Sequence, residues 1–506
     1  MWWNKKVNKA SEHKNELANL KNQELNSNNL RKILGHSTDI HFQELLVNGN
    51  QHLLVTLLLV DGMVETALVT ESILKPLTNR SIEARTAQEL IKKIEQGGIY
   101  FAPQQTHTSL EGVLGAVLGG QVAVIFDQER TAITFDVRGF EKRRISEPTS
   151  ENVIKGGKDA FVETLRMNTA TLRRRINSTH LVIEETIVGQ RSFHRLAIVY
   201  IKGLTNPDLV NELRERINHI DIDAICATGD VEERIIDRPY SPFPQILFTE
   251  RPDKFCANIM EGRAGLLIDT FPTGFIVPAN FAQFIQAPED YSMNYAISSI
   301  VRLGRYLMFL VALLLPGYYV ALTTFHQEMI PTDLAVAIAE AEQGVPFPSF
   351  MEVIIMLLAF EVLLEAGLRL PRAIGQAVSI VGAVVVGQAA VDARLVSPSV
   401  VIAIAITGIA GYTMPNQDLG NSLRLARLAM VILASLTGLP GIAIGVLLLI
   451  YHLASIETFG VPYLAPLVGN EGGKLQDTLF RFPLAMLQKR PAVLKPLDKQ
   501  RQRRQS

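Results

Sequence analysis

Charged and apolar positions are spread unevenly along this chain. Up to about residue 300 they mix as in a water-soluble globular protein. Beyond that point Asp, Glu, Lys and Arg are absent between Arg305 and Glu328, Arg372 and Asp392, Arg394 and Asp418, and Arg427 and Glu457. Each window is about as long as the roughly 20 residues that an apolar helix needs to cross a bilayer. The pattern predicts an α/β soluble head followed by an α-helical, polytopic membrane domain of five or six segments.

The predicted segments are Tyr306–Thr323, Phe350–Leu368, Ala373–Val391 and Val396–Met414, with a last window at Leu428–Ile456. Arg302 and Arg305 stand before the first segment and place the head in the cytoplasm by the positive-inside rule. The loop Gln327–Ser349 holds Glu328, Asp333, Glu340 and Glu342 but no Lys or Arg, which suits the outer face. Arg369 and Arg372 return the chain inside, and segment four lands inside again at Arg424 and Arg427. The tail from Arg481 to Arg504 carries eight Lys or Arg residues against the single acid Asp498, so it too is expected in the cytoplasm. One straight last crossing would strand it outside. The window is therefore predicted to double back at Thr437-Gly438-Leu439-Pro440-Gly441 as two half-helices, a Gly/Pro break being tolerated where protein covers it. A single kinked crossing with an external tail is the alternative.

The head repeats itself. Leu57–Met63 with Leu68-Val69 matches Ile198–Leu204 with Leu209-Val210, and Val117–Gln121 with Ile125-Phe126-Asp127 matches Ile259–Arg263 with Leu267-Ile268-Asp269. Gly62 and Gly203 are offset by 203 − 62 = 141 residues, Gly120 and Gly262 by 262 − 120 = 142. Each copy reads as a buried strand, a glycine turn, helices and a hairpin of two short strands. The expected division is a polar N-terminal tail over 1–35, α/β subdomains over 36–145 and 146–295, a transmembrane domain over 296–460 and a basic tail over 461–506.

Composition narrows the chemistry. A net charge of -1 gives no global sign of nucleic-acid binding. Two cysteines, Cys226 and Cys256, argue against a disulfide framework or a Cys-based metal site, and the polar N-terminus lacks the apolar core of a signal peptide. His180, His194 and His219 lack ligand spacing, and the chain carries no phosphate loop, nucleophile elbow or paired carboxylates, so neither an enzyme nor a cofactor is expected. Arg173-Arg174-Arg175 reads as a solvated end of a helix over Lys158–Ile176, with contact to lipid headgroups or a partner as the alternative. Thr249, Glu250 and Arg251 read as the start of a helix or as a polar contact with the membrane domain, to which Asp290, Arg302 and Arg305 are also assigned. In segment two, Glu361, Glu365 and Arg369 share one helical stripe: either a pore or gate lining, or a buried Glu365–Arg369 pair. Gln376 and Gln388 are the polar members of a segment rich in Gly and Ala.

Several stretches together resemble the A subunits of bacterial spore germinant receptors, the GerA family, over nearly the whole chain. They are Phe161–Ile176, Phe243–Lys254, Glu261-Gly262-Arg263, Ala287–Tyr291, Pro316–Pro331, Phe360–Pro371 and Ile380–Pro398. The resemblance implies a multi-pass subunit in the inner membrane of the spore. It also implies a ring-forming channel, expected as a pentamer, that works with a transporter-like B subunit and a C-subunit lipoprotein and releases monovalent cations. An amplifying paralogue without nutrient sensing, a solute transporter and a non-conducting scaffold are the other readings.

Overall fold

The computed structural model describes residues 23–50, 53–79, 84–99, 103–139, 155–369, 385–468 and 477–502, with the single positions 82, 148, 151 and 153. Gln376 lies outside these residues, as does most of the third predicted segment.

The head holds two five-stranded sheets. The first is built from β1 (Ile40–Leu46), β2 (Leu54–Val60), β3 (Gln104–His107), β4 (Val122–Phe126) and β5 (Thr131–Phe135). The second uses β6 (Leu181–Val188), β7 (His194–Ile201), β8 (Leu247–Thr249), β9 (Ala264–Ile268) and β10 (Gly274–Val277). Their orders are β1-β2-β4-β5-β3 and β6-β7-β9-β10-β8, the same arrangement twice, and every pairing is antiparallel. The edge strands β1 and β3, with their counterparts β6 and β8, add to the strand and hairpin read from the sequence.

The repeated residues do the same work in both copies. Gly62 and Gly203 follow β2 and β7 at φ +77° and +78°, and Gly120 and Gly262 turn the chain into β4 and β9 at φ +89° and +103°. Only glycine adopts that left-handed region without steric cost. Asp127 and Asp269 directly follow β4 and β9. Asp127 accepts the N–H of Ser27 at 2.6 Å, and Asp269 accepts that of Leu165 at 2.9 Å. Those amides open the helices Ser27–Leu34 and Leu165–Arg175, so each carboxylate satisfies an orphan donor at the positive end of a helix.

Arg173 departs from the reading of the arginine run as a solvated face, whereas Arg174 and Arg175 are exposed. Arg173 is 1% exposed; it donates to both oxygens of Asp39 at 2.7 and 2.9 Å, to Ser37 Oγ and to the Leu181 carbonyl. The helix is also shorter than expected, starting at Leu165. Its partner Asp39 lies 134 residues away, which no local pattern announces.

The second half is a bundle of α1 (Tyr295–Thr324), α2 (Thr332–Glu342), α3 (Ser349–Arg369), α4 (Pro398–Tyr412), α5 (Gln417–Thr437) and α6 (Leu439–Ala454), with residues 385–392 also helical. Helix α1 starts three turns before the predicted segment. The last window does turn at Gly438, where φ +71° and ψ −139° suit glycine alone. It is not a pair of half-helices: α5 has 21 residues, about 31 Å at 1.5 Å per residue. Arg424 and Arg427 therefore lie inside α5, not in a loop. Gly438 sits against Phe325 and His326 at the far end of α1, while Ser422 near the start of α5 and His452 near the end of α6 both touch the head. Helix α6 thus returns the chain to the head side. The tail then packs on the head, with the Leu497 N–H donating to Leu204 O at 2.9 Å.

Candidate coupling site between head and bundle

The first turns of α1 are fixed by a buried charged collar. The segment Pro288–Tyr291 ends the head; Asp290 is 1% exposed and accepts the Ala287 N–H at 3.3 Å, which holds its carboxylate under the start of α1. Asn294 caps α1 by accepting the Ala296 N–H. Arg302 and Arg305 are three residues apart and share a helix face. Arg302 Nε donates to Asp290 Oδ2 at 3.1 Å, and Arg305 clamps both Asp290 oxygens at 2.9 and 2.8 Å. Arg305 also donates to the Ile285 carbonyl, and Ser298 Oγ donates to the Asp290 carbonyl at 2.7 Å.

The tail completes the collar. Arg302 Nη1 donates to Asp477 Oδ1 at 3.0 Å and to the Asp477 carbonyl at 2.8 Å, and Tyr291 O–H donates to Asp477 Oδ2 at 2.9 Å. Arg481 donates to the Met293 carbonyl at 2.7 Å. Arg302 and Arg481 lie 5.8 and 5.5 Å from the centre of the Tyr291 ring. A guanidinium with no exposed surface needs this many partners to repay its desolvation. Head, first bundle helix and tail therefore meet in one ionic knot.

Apolar packing runs alongside it. One buried cluster extends from Phe255 and Leu267 in the second subdomain through Phe281 and Phe284 to Phe309, Leu313, Met414 and Leu453 of the bundle. The rings of Phe281 and Phe309 meet edge to face at 5.4 Å. A second polar contact joins Ser241 Oγ to His452 Nε2 at 2.9 Å, and Ser422 Oγ donates to the Pro242 carbonyl. Nearby in the head, the Glu232 carboxyl is pushed up to about 7, first by burial and then by Asp418 at the start of α5 and by Glu233.

The predicted coupling residues thus fall into two groups. Asp290, Arg302 and Arg305 are brought together. Thr249, Glu250 and Arg251 instead form the start of the helix Pro252–Ile259: Thr249 Oγ1 and the Glu250 N–H donate to Glu151, and Arg251 grips Asp253 at 3.0 and 2.6 Å and the Gly157 carbonyl at 3.0 Å. A Cβ on Gly156 would lie 3.3 Å from Arg251 and 3.7 Å from Ser292, so the groups are neighbours across that glycine. Asp477, Tyr291 and Arg481 were not anticipated. For Asp477 and Arg481 the signal is the apolar Leu479-Phe480-Arg481-Phe482-Pro483, unusual in a solvated basic tail, whereas Tyr291 closes the Ala287–Tyr291 stretch already singled out.

The pore candidates are dispersed. Glu361 lies midway along α3, 37% exposed, and accepts from Arg424 of α5 at 3.3 Å. Glu365 is exposed one turn further on, and Gln388 is exposed in the helical residues 385–392. The Arg369 side chain lies outside the described residues. The third acid of α3, Glu352, is buried and accepts the Ser397 N–H at 2.6 Å.

A duplicated antiparallel head knotted by buried charge to a long apolar helix bundle defines a class of membrane-type, two-part proteins. Among the described residues α1 and α5 are long and apolar enough to cross a membrane, with mean hydropathy 1.9 and 1.4, and α4 and α6 are shorter apolar helices. The chain belongs to the GerA family: the family model for the Bacillus/Clostridium GerA spore germination protein matches residues 28–493. It is 37% identical to spore germination protein KA of Bacillus subtilis over 93% of this chain and 86% of that one. It is 36% identical to spore germination protein B1 of the same organism over 94% and 98%. Among solved structures it is similar to the N-terminal domain of the A subunit of the Bacillus megaterium spore germinant receptor GerK3. That match has 28% identity and a TM-score of 0.39, covering 51% of this chain and 96% of that one.

Proposed function

We propose that this chain is the multi-pass membrane subunit of a nutrient-responsive receptor in the spore inner membrane, with its head and tail in the cytoplasm. It assembles as a ring, a pentamer by family resemblance, with a transporter-like B subunit and a lipoprotein C subunit. Opening of the ring releases monovalent cations and starts germination. The observation that carries this reading is the Asp290–Arg302–Arg305–Asp477 knot. A ligand-driven movement of head or tail has no slack there to dissipate it, so it reaches α1 directly and, through the packing of α1 on α5, reaches the Glu361–Arg424 pair. Glu361, Glu365, Arg369, Gln376 and Gln388 are the candidate lining; a ring of carboxylates would draw cations to a narrow path. Planar-bilayer recording of the purified full chain, with and without its B subunit, tests it. Cation-selective current that changes with Glu361→Gln is expected. Absence of current in every subunit combination would leave a scaffold and overturn the channel reading.

A further inference from the structure

Arg427 is a buried charge in the bundle with no ion pair among the described residues. It stands in the third turn of α5, is 4% exposed, and its Nε has no hydrogen-bond partner among the described residues. Its guanidinium lies against Gly411 at the end of α4, where an added Cβ would come within 3.7 Å of Nη2. Among the described residues the charges that act on it are Glu361 and Arg424, and Glu361 is already bonded to Arg424. Two cations therefore share one carboxylate on the surface between α3, α4 and α5. Arg424 keeps about a third of its side chain exposed there, at 35%. A buried guanidinium left unpaired is costly, and most costly at membrane depth. The site lies at the head end of the bundle, since Ser422, five residues earlier on α5, bonds the head at Pro242. In a membrane, that end meets the headgroup region of the head-side leaflet.

We propose that Arg424 and Arg427 form a binding site for a phosphate group, carried by an anionic lipid headgroup of the head-side leaflet or free in solution. The chemistry fits. Guanidinium groups take phosphate oxygens through paired N–H donors, and two of them three residues apart on one helix face converge on a single group. Gly411 presents no side chain to the guanidinium, and an added Cβ there would make only an ordinary van der Waals contact with Nη2. The bound phosphate supplies the second negative charge that Glu361 alone cannot, and it ties α5 to the lipid at the level where the head touches the helix. The site rests on the bundle lying in a membrane, but its test does not need conduction.

The test measures binding of phosphatidylglycerol to the full chain in phosphatidylcholine-containing detergent micelles, by native mass spectrometry and by the shift in thermal midpoint. Wild type is expected to bind phosphatidylglycerol and to show no such response to phosphatidylcholine. Arg427→Gln and Arg424→Gln should each weaken that binding roughly tenfold or more, the equivalent of one charge-assisted hydrogen bond. Should Arg427→Gln fail to fold, Arg424→Gln, at the exposed half of the site, and Arg427→Lys, which keeps the charge, carry the comparison. Inorganic phosphate that competes with the lipid assigns the soluble anion as ligand; lack of competition assigns the headgroup. Unchanged phosphatidylglycerol binding in the folded variants, or equal binding of phosphatidylcholine, overturns the site. Loss of bilayer current with this binding intact would count against the channel reading alone.

Discussion

Asp290→Asn is the sharpest probe of the collar. The change keeps the size of the side chain and one acceptor oxygen for the Ala287 N–H, but it removes the charge that receives three bonds from Arg302 and Arg305 at 3.1, 2.9 and 2.8 Å. Asp290 and Arg302 are at most 2% exposed, so water does not replace what is lost, and Asp477 is left to balance two guanidinium groups. Breaking a buried pair from one side costs about 3–5 kcal/mol. Arg305 retains 11% exposure and recovers part of this, so roughly 2–4 kcal/mol is expected. The assay is thermal or denaturant unfolding of the full chain in detergent, with spin labels on the head and on α1 to read their separation. The double change Asp290→Asn with Arg302→Gln should cost less than the sum of the singles, because both act on one network. Additive losses, or a loss from Asp290→Asn below about 0.5 kcal/mol, the scale of surface substitutions, would refute the collar as the mechanical link.

Other consequences are as specific. Gly62→Ala should cost more than Gly203→Ala although both sit near φ +77°, because an added Cβ meets the Arg166 carbonyl at 2.9 Å in the first copy and nothing within 4 Å in the second; chemical denaturation of the isolated variants compares them. Arg173→Ala strands Asp39 in the core and should destabilise the head by about 3–5 kcal/mol, with Arg174→Ala near neutral. The raised Glu232 carboxyl stabilises the fold in its protonated form: this contribution is full below the ordinary value of 4.5 and is lost as pH rises to about 7. Glu232→Gln should flatten the midpoint-versus-pH curve in that window, and a curve parallel to wild type would contradict it. Gly438→Ala forces a Cβ to 2.9 Å from Phe325 and His326 at a glycine-only backbone conformation, and should lower the amount of folded protein recovered from membranes.

What could be read from the sequence depended on how local its cause was. Gly62, Gly203, Gly120 and Gly262 announced the duplication because left-handed turns demand glycine wherever the copy recurs, and the Gly438 break was visible for the same reason. The strands β1 and β3 were missed. Ile40–Leu46 alternates weakly and Gln104–His107 is wholly polar, so their pairing to β2 and β5 supplies the order that their side chains do not. Charge misled in two places. Arg173 looked solvated because Asp39 is remote in sequence, and Arg424 looked like a helix boundary because Glu361 on another helix neutralises it. At the collar, Asp290, Arg302 and Arg305 were legible as charges beside the first apolar window, whereas Asp477 and Arg481 come back from the far end of the chain.

The placement of head and tail on one side of a bilayer crossed by the bundle is tested most directly by two-sided cysteine labelling. With Cys226 and Cys256 replaced, single cysteines at Gln343, in the loop after α2, and at Gln502, in the tail, are exposed to a membrane-impermeant thiol reagent in intact cells and again after lysis. Reaction at position 343 in intact cells, and at 502 only after lysis, is the predicted result. Reaction at 502 but not at 343 in intact cells would contradict it.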